Sequence, residues 1–164
     1  MSERAQPGRI AYRLSQLGTV ATRQFAGLVK DLDLTPPEAG VLRLISHSPG
    51  IGQRDLAERL GAAPSRVVAL LDQLQAKELV DRRRSETDRR SHQLVLTDSG
   101  EEMMQRLTAV SATHGARTLA PLSQPERRQL GALLDKLATA HGIEPAVHPG
   151  YRTGTPPRVE PEDG

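Results

Sequence analysis

The sequence predicts a mainly α-helical chain with one small β-hairpin, in which a module of short helices is flanked at both ends by longer ones. Three observations carry this expectation. Apolar residues recur at three- and four-residue spacing along most of the first 141 positions. Two short β-rich runs, Leu79-Val80 and residues 92–96, bracket a polar, arginine-rich loop. Between residues 52 and 100 the order is short helix, turn, helix, hairpin, which is the plan of a winged helix-turn-helix. The expected organisation is a flexible N-terminus (1–8), an N-terminal dimerisation helix (9–34) and a winged helix-turn-helix region (35–97). C-terminal dimerisation helices (98–141) and a disordered tail (142–164) complete it.

The first periodic segment places Ile10, Leu14, Leu17 and Ala21 on one stripe, extended by Phe25, Leu28 and Leu32. It predicts an amphipathic helix of roughly six turns. Thr35-Pro-Pro-Glu38 then has the form of a helix start: a hydroxyl for the orphan amides, prolines in the first turn, and a glutamate to close a capping box. That helix continues through Ala39, Leu42 and Ile45 and stops at Pro49-Gly50, after which Ile51 predicts a short strand. Residues 53–60 form the next short helix, with Leu56, Ala57 and Leu60 inward and Gly61 ending it.

Pro64 opens the following helix where its missing amide costs nothing. Val67, Leu70, Leu71 and Leu74 share its inner face, leaving Ser65, Arg66, Ala69, Asp72 and Gln73 outward. The hairpin follows, with its tip at residues 85–90. Thr97 caps a long helix carrying Met103, Leu107 and Val110, and Ser123-Gln-Pro-Glu126 begins a last one carrying Leu130, Leu133, Leu134 and Leu137. After His141 the chain is rich in Pro and Gly with little to bury, which predicts the disordered tail.

Composition narrows the chemistry. Hydrophobic residues make up 37% of the 164 positions but aromatics only 2%, so the core must be aliphatic and stacking platforms for single-stranded bases are missing. The formal net charge of +2 is uninformative as a total. Its distribution is not: residues 80–90 hold five arginines against Asp81, Glu86 and Asp88. With no cysteine, disulfides, thiolate metal sites and a cysteine redox switch are excluded. No run of about 18 apolar residues predicts a membrane span, and no apolar signal region follows the first charges, so a cytoplasmic protein is expected.

A winged helix-turn-helix sets one helix in a DNA major groove and a basic loop in the neighbouring minor groove. Here the helix at Pro64 offers Pro64, Ser65, Arg66 and Ala69 for base contact. Small residues permit close approach, Arg66 can reach guanine O6 and N7, and Ala69 can meet a thymine methyl. Taken alone, Arg66 is equally well read as a solvated helix residue. Gln53, Arg54 and Gln73 are candidates for phosphate contact. At the wing, Arg84, Arg89 and Arg90 suit a narrow minor groove, with Asp88 holding Arg90 extended through a charge-assisted bond. The plain alternative is a charged surface loop; five arginines in so short a stretch beside a helix-turn-helix weigh against it.

Leu34-Thr35, Asp55-Leu-Ala57, Pro64-Ser65, Leu74, Leu79-Val80, Asp88-x-Arg90 and Leu96-Thr97-x-x-Gly100 together resemble the MarR family of bacterial transcriptional regulators. The resemblance covers roughly residues 9–141 and is strongest over 52–100. It implies a homodimer bound to double-stranded DNA at a pseudo-palindromic operator, and release by a small-molecule effector. The implied effector pocket lies between the dimerising helices and the winged module, with Tyr12, Leu17, Arg43 and His47 as loose candidates and the ligand unknown. In one departure, Glu78 stands where the family usually has Gly, which predicts a less sharp end to the helix before it.

Independently of the resemblance, apolar stripes at both ends of the chain predict a two-fold partner, because half a dozen leucines left in water would each forfeit about 1.5–3 kcal/mol. No enzyme is expected. The five histidines, His47, His92, His114, His141 and His148, form no i, i+4 pair, and no phosphate-cradling Gly-rich loop occurs. Neither a metal nor another cofactor is expected. The rival reading is a winged-helix protein-interaction module without an operator.

Overall fold

The computed structural model describes residues 7–84 and 92–143. In chain order its elements are α1 (Pro7–Lys30), α2 (Pro36–His47), β1 (Ile51–Gly52), α3 (Gln53–Leu60), α4 (Pro64–Ala76), β2 (Val80–Arg84), β3 (His92–Leu96), α5 (Asp98–Thr118) and α6 (Gln124–Ala140). The helical chain with a small hairpin is therefore observed. The strands form one antiparallel sheet in the order β1-β3-β2. Within the hairpin Val80 pairs with Leu96 and Arg84 with His92.

The core is aliphatic and centred on α2. Leu42, Leu44 and Ile45 are fully buried together with Leu56 and Leu60 of α3, Leu71 and Leu74 of α4, Leu94 of β3 and Leu107 of α5. Each contributes about 1.5–3 kcal/mol by burial, and the four inward positions expected of α4 (Val67, Leu70, Leu71, Leu74) are the four it buries. Phe25, Met103, Met104 and Val110 pack half-buried on the outside of this cluster.

Local chemistry sets the boundaries. At the start of α2, Glu38 accepts from the Thr35 backbone amide at 2.7 Å while its own amide donates to the Thr35 hydroxyl, which is the predicted capping box. Gly61 ends α3 in the left-handed conformation at φ 59°. The Ala62 amide then donates to the Ala57 carbonyl and closes the turn into α4. α1 begins at Pro7, two residues before the position expected from its stripe, and ends at Lys30.

One expectation is corrected. The helix before the hairpin does end sharply, without glycine. Glu78 itself adopts φ 57°, the Glu78 amide donates to the Gln75 carbonyl, and the Leu79 amide reaches back to Leu74 at 2.9 Å. The left-handed turn survives because the Thr97 hydroxyl donates to the Glu78 carbonyl from the start of α5.

The two ends of the chain contrast with this core. Val29 is the one fully buried residue of α1, and residues 7–24 of that helix are exposed throughout. α6 buries none of its residues within the chain.

Candidate nucleic-acid interface

α3 and α4 meet through the Gly61 turn, and the outward face of α4 is set by what its inner face buries. With Val67, Leu70, Leu71 and Leu74 in the core, the helical period leaves Pro64, Ser65, Arg66, Ala69 and Gln73 exposed along one side. The structure brings the sequence-predicted residues of this helix together on a single free surface. Arg54 is exposed and Gln53 half-exposed at the first turn of α3. Arg59, further along α3, donates to the Ser48 hydroxyl at 2.7 Å and ties that helix to the end of α2.

Capping chemistry divides the helices in a way that sequence reasoning missed. α2 and α5 begin with threonine side chains that accept from the backbone, at Thr35 and Thr97. α3 and α4 begin at Gly52 and Ala63, which offer no side-chain cap. In α4 the Ser65 amide is left for an external acceptor, since Pro64 has none and the Arg66 amide donates to the Ala63 carbonyl at 3.0 Å. The first-turn amides of α3 likewise meet no side-chain cap, and helix starts of this kind suit phosphate oxygens. The signal was in the sequence as Gly52 and Ala63 where Ser, Thr or Asp would serve a self-sufficient helix.

The hairpin is fastened to α4 by an ion pair that the sequence did not announce. Arg82 Nη2 donates to Asp72 Oδ1 at 2.8 Å, with Arg82 about one quarter exposed. The pair neutralises the one acid on the outward side of α4 and fixes the first wing strand against that helix. The geometry leaves Arg66 as the cation of that side. Arg83 lies 3.6 Å from Asp81 on its own strand. Of the wing residues, Arg84 contributes its backbone to β2, while its side chain and Asp88, Arg89 and Arg90 lie outside the described residues.

A cleft of about 830 Å³ opens between the end of α2, β3 and α5, lined by His47, Arg83, Val95, Leu96, Glu101 and Met104 among others. Of the four loose ligand candidates only His47 lines it; its Nδ1 sits 2.8 Å from the Arg43 carbonyl. Tyr12 and Leu17 are two-thirds exposed on α1, away from this cleft.

At the far end of α4, Lys77 Nζ lies 2.9 Å from Glu38 Oε1. Burial pushes the Glu38 carboxyl pKa up, but Lys77 and the Thr35 bonds outweigh it and hold the group below its ordinary value. Among the described residues no group of three His, Asp or Glu is placed to hold a metal ion. No helix there is long and apolar enough to cross a membrane.

The family model that matches the chain, described as MarR family, covers residues 32–91, from the turn after α1 to the residue before β3. Over a longer span, the chain is 31% identical to the HTH-type transcriptional repressor Rv2887 of Mycobacterium tuberculosis (strain ATCC 25618 / H37Rv). That alignment runs over 135 residues, 82% of this chain and 97% of that protein. The chain belongs to the MarR family. Among solved structures, this MarR-family chain is similar to the transcriptional repressor CouR bound to a 23-mer DNA duplex. There the TM-score is 0.71 at 32% identity, over 84% of this chain and 98% of the other. It is likewise similar to Rv2887 in complex with salicylic acid, with TM-score 0.64 and 31% identity over 84% and 99% of the two chains. Both similarities extend well beyond the winged module into the flanking helices of the MarR fold.

Proposed function

We propose that this MarR-family protein is a transcriptional repressor that binds a pseudo-palindromic operator in double-stranded DNA as a homodimer and is released by a small-molecule ligand. The observation that carries the reading is the free face of α4, where Ser65, Arg66 and Ala69 project from a helix start without a side-chain cap and the one acid of that side, Asp72, is paired with Arg82. Pro64, Ser65, Arg66 and Ala69 meet base edges, Arg66 donating to guanine and Ala69 touching a thymine methyl. Gln53, Arg54 and Gln73, with the first-turn amides of α3 and the Ser65 amide of α4, hold phosphates and fix the register. Arg84, Arg89 and Arg90 enter the minor groove, positioned by Asp88. Such a regulator works where the chromosome is, in the bacterial cytoplasm.

The relatives support both halves of this reading, since one was solved on a DNA duplex and another with salicylic acid. We place the effector in the α2–β3–α5 cleft. It touches Arg83 of the wing and Met104 of α5 at once, so a bound molecule would bias the wing against the long helix.

The test is a selection of the purified full chain on a random duplex library, beside Arg66→Ala and Arg90→Ala. The wild type should enrich an inverted repeat with half-site centres about 10 bp apart. Arg66→Ala should cost about 1–3 kcal/mol and relax one position of each half-site. Arg90→Ala should weaken all sequences alike and reduce the slope of log affinity against log salt by about 1. No enrichment at moderate salt would overturn the reading in favour of a protein-interaction module.

A further inference from the structure

The end of α4 away from the base-reading residues is gripped from two sides. On the first side, Lys77 donates to the Asp33 carbonyl at 2.6 Å and pairs with Glu38 at 2.9 Å. Asp33 belongs to the turn that joins α1 to α2, and it holds a left-handed backbone at φ 56° that turns its carbonyl to face the lysine. Glu38 is 2% exposed, and its second carboxylate oxygen is already taken by the Thr35 amide and hydroxyl at 2.7 and 2.8 Å. A buried carboxylate with both oxygens bonded, one to Lys77 and one to Thr35, is a rigid anchor.

On the second side, the next two residues are held by the start of α5. The Thr97 hydroxyl donates to the Glu78 carbonyl, and the Thr97 amide donates to the Leu79 carbonyl at 3.2 Å. Gly100 approaches so closely that a Cβ there would collide with the Leu79 carbonyl oxygen. Residues 77–79 therefore carry the end of the recognition helix to the turn that follows α1, to α2 and to α5 simultaneously. α1 and α5 present apolar or half-buried stripes outward. Lys77 lies roughly 15 Å along the axis from the Ser65–Ala69 face, so it does not itself read DNA.

We propose that this double clamp fixes the angle between the recognition helix and the dimerising helices, with Lys77 and Glu38 as positioning residues, and thereby sets the half-site spacing the protein accepts. The proposal rests on the operator-binding reading above. Adding one base pair between half-sites shifts the second one by about 3.4 Å and rotates it by about 35°. A stiff joint rejects that displacement; a loosened joint follows it.

The experiment uses the full-length dimer and duplexes carrying its selected inverted repeat, with the spacer lengthened or shortened by one and two base pairs. The wild type should lose about tenfold in affinity for one base pair of change. In Lys77→Met, which keeps the aliphatic stem, that loss should shrink to about threefold or less while base preference within each half-site is unchanged. Lys77→Arg should restore the steep profile. Glu38→Gln, whose amide keeps the cap at Thr35, should flatten it, and decides the matter if Lys77→Met does not fold. Uniform weakening with the spacing profile unchanged would mean a structural role only and would overturn the clamp. If the wild type enriches no inverted repeat, the operator reading falls and takes the clamp with it; a peaked wild type with equally peaked variants removes the clamp alone.

Discussion

Glu78 shows what one residue can be made to do by its neighbours. A left-handed backbone costs a residue with a Cβ about 1–2 kcal/mol, and glutamate lacks the short polar side chain that lets Asp or Asn tolerate it. The cost is offset by the Thr97 hydroxyl on its carbonyl and by the Leu79 amide bonding back to Leu74. The Glu78 side chain is exposed, so nothing is lost from the core by removing it. Glu78→Gly should therefore stabilise the fold by about 1 kcal/mol. The measurement is the denaturant midpoint at constant slope, and a lower midpoint would show that glycine's freedom in the unfolded chain outweighs the relieved strain.

At the scale of elements, the junction of α5 with the start of the hairpin has no room to spare. Gly100 sits in the first turn of α5 against the Leu79 carbonyl oxygen and the Leu96 side chain, with no room for a methyl group. This gives the Leu-Thr-x-x-Gly sequence a physical meaning: the threonine caps the helix and the glycine admits the neighbouring backbone. Gly100→Ala should destabilise by about 1–3 kcal/mol through overpacking, although alanine is the better helix former. Thermal unfolding of the variant checks this, and an unchanged or raised melting temperature would mean that the helix start can swing away freely.

The elements were legible where their signals are local. Thr35 to Glu38 marks the start of α2, Pro64 that of α4, and the apolar period of α4 fixes which residues face outward. Signals that join distant parts of the chain were not. The Glu78 turn depends on Thr97, 19 residues later, and Lys77 finds Asp33 across 44 residues. No period or motif announces that Arg82 will reach Asp72 and leave Arg66 as the cation of its face. The outward face of α4 could be read because it is the remainder of a buried stripe. The joint that orients it could not, because it is made by tertiary contact.

For the whole molecule, the decisive fact is how much apolar surface the single chain leaves uncovered. Ile10, Leu14, Leu17 and Val20 of α1 are 58, 46, 64 and 49% exposed, and Leu133, Leu134 and Leu137 of α6 are 54, 41 and 46% exposed. Each stripe has the spacing of a helix face that packs on another helix, yet α6 buries no residue within its own chain. A second copy related by a two-fold axis, packed on these stripes, would cover them and set two α4 faces in fixed relation, which is the homodimer proposed above. Dimerisation and operator binding are then one property, because two half-sites held together bind far more tightly than either alone. Placing glutamate in the stripe, as Leu14→Glu or Leu137→Glu, should therefore give monomers in sedimentation at micromolar concentration. The same variants should lose operator affinity by about a hundredfold or more while Ser65, Arg66 and Ala69 stay intact. The melting temperature of the wild type should rise with protein concentration, and that of the variants should not. Variants that remain dimeric would move the interface off these helices, and the two-fold relation of the α4 faces would have to be built from another surface.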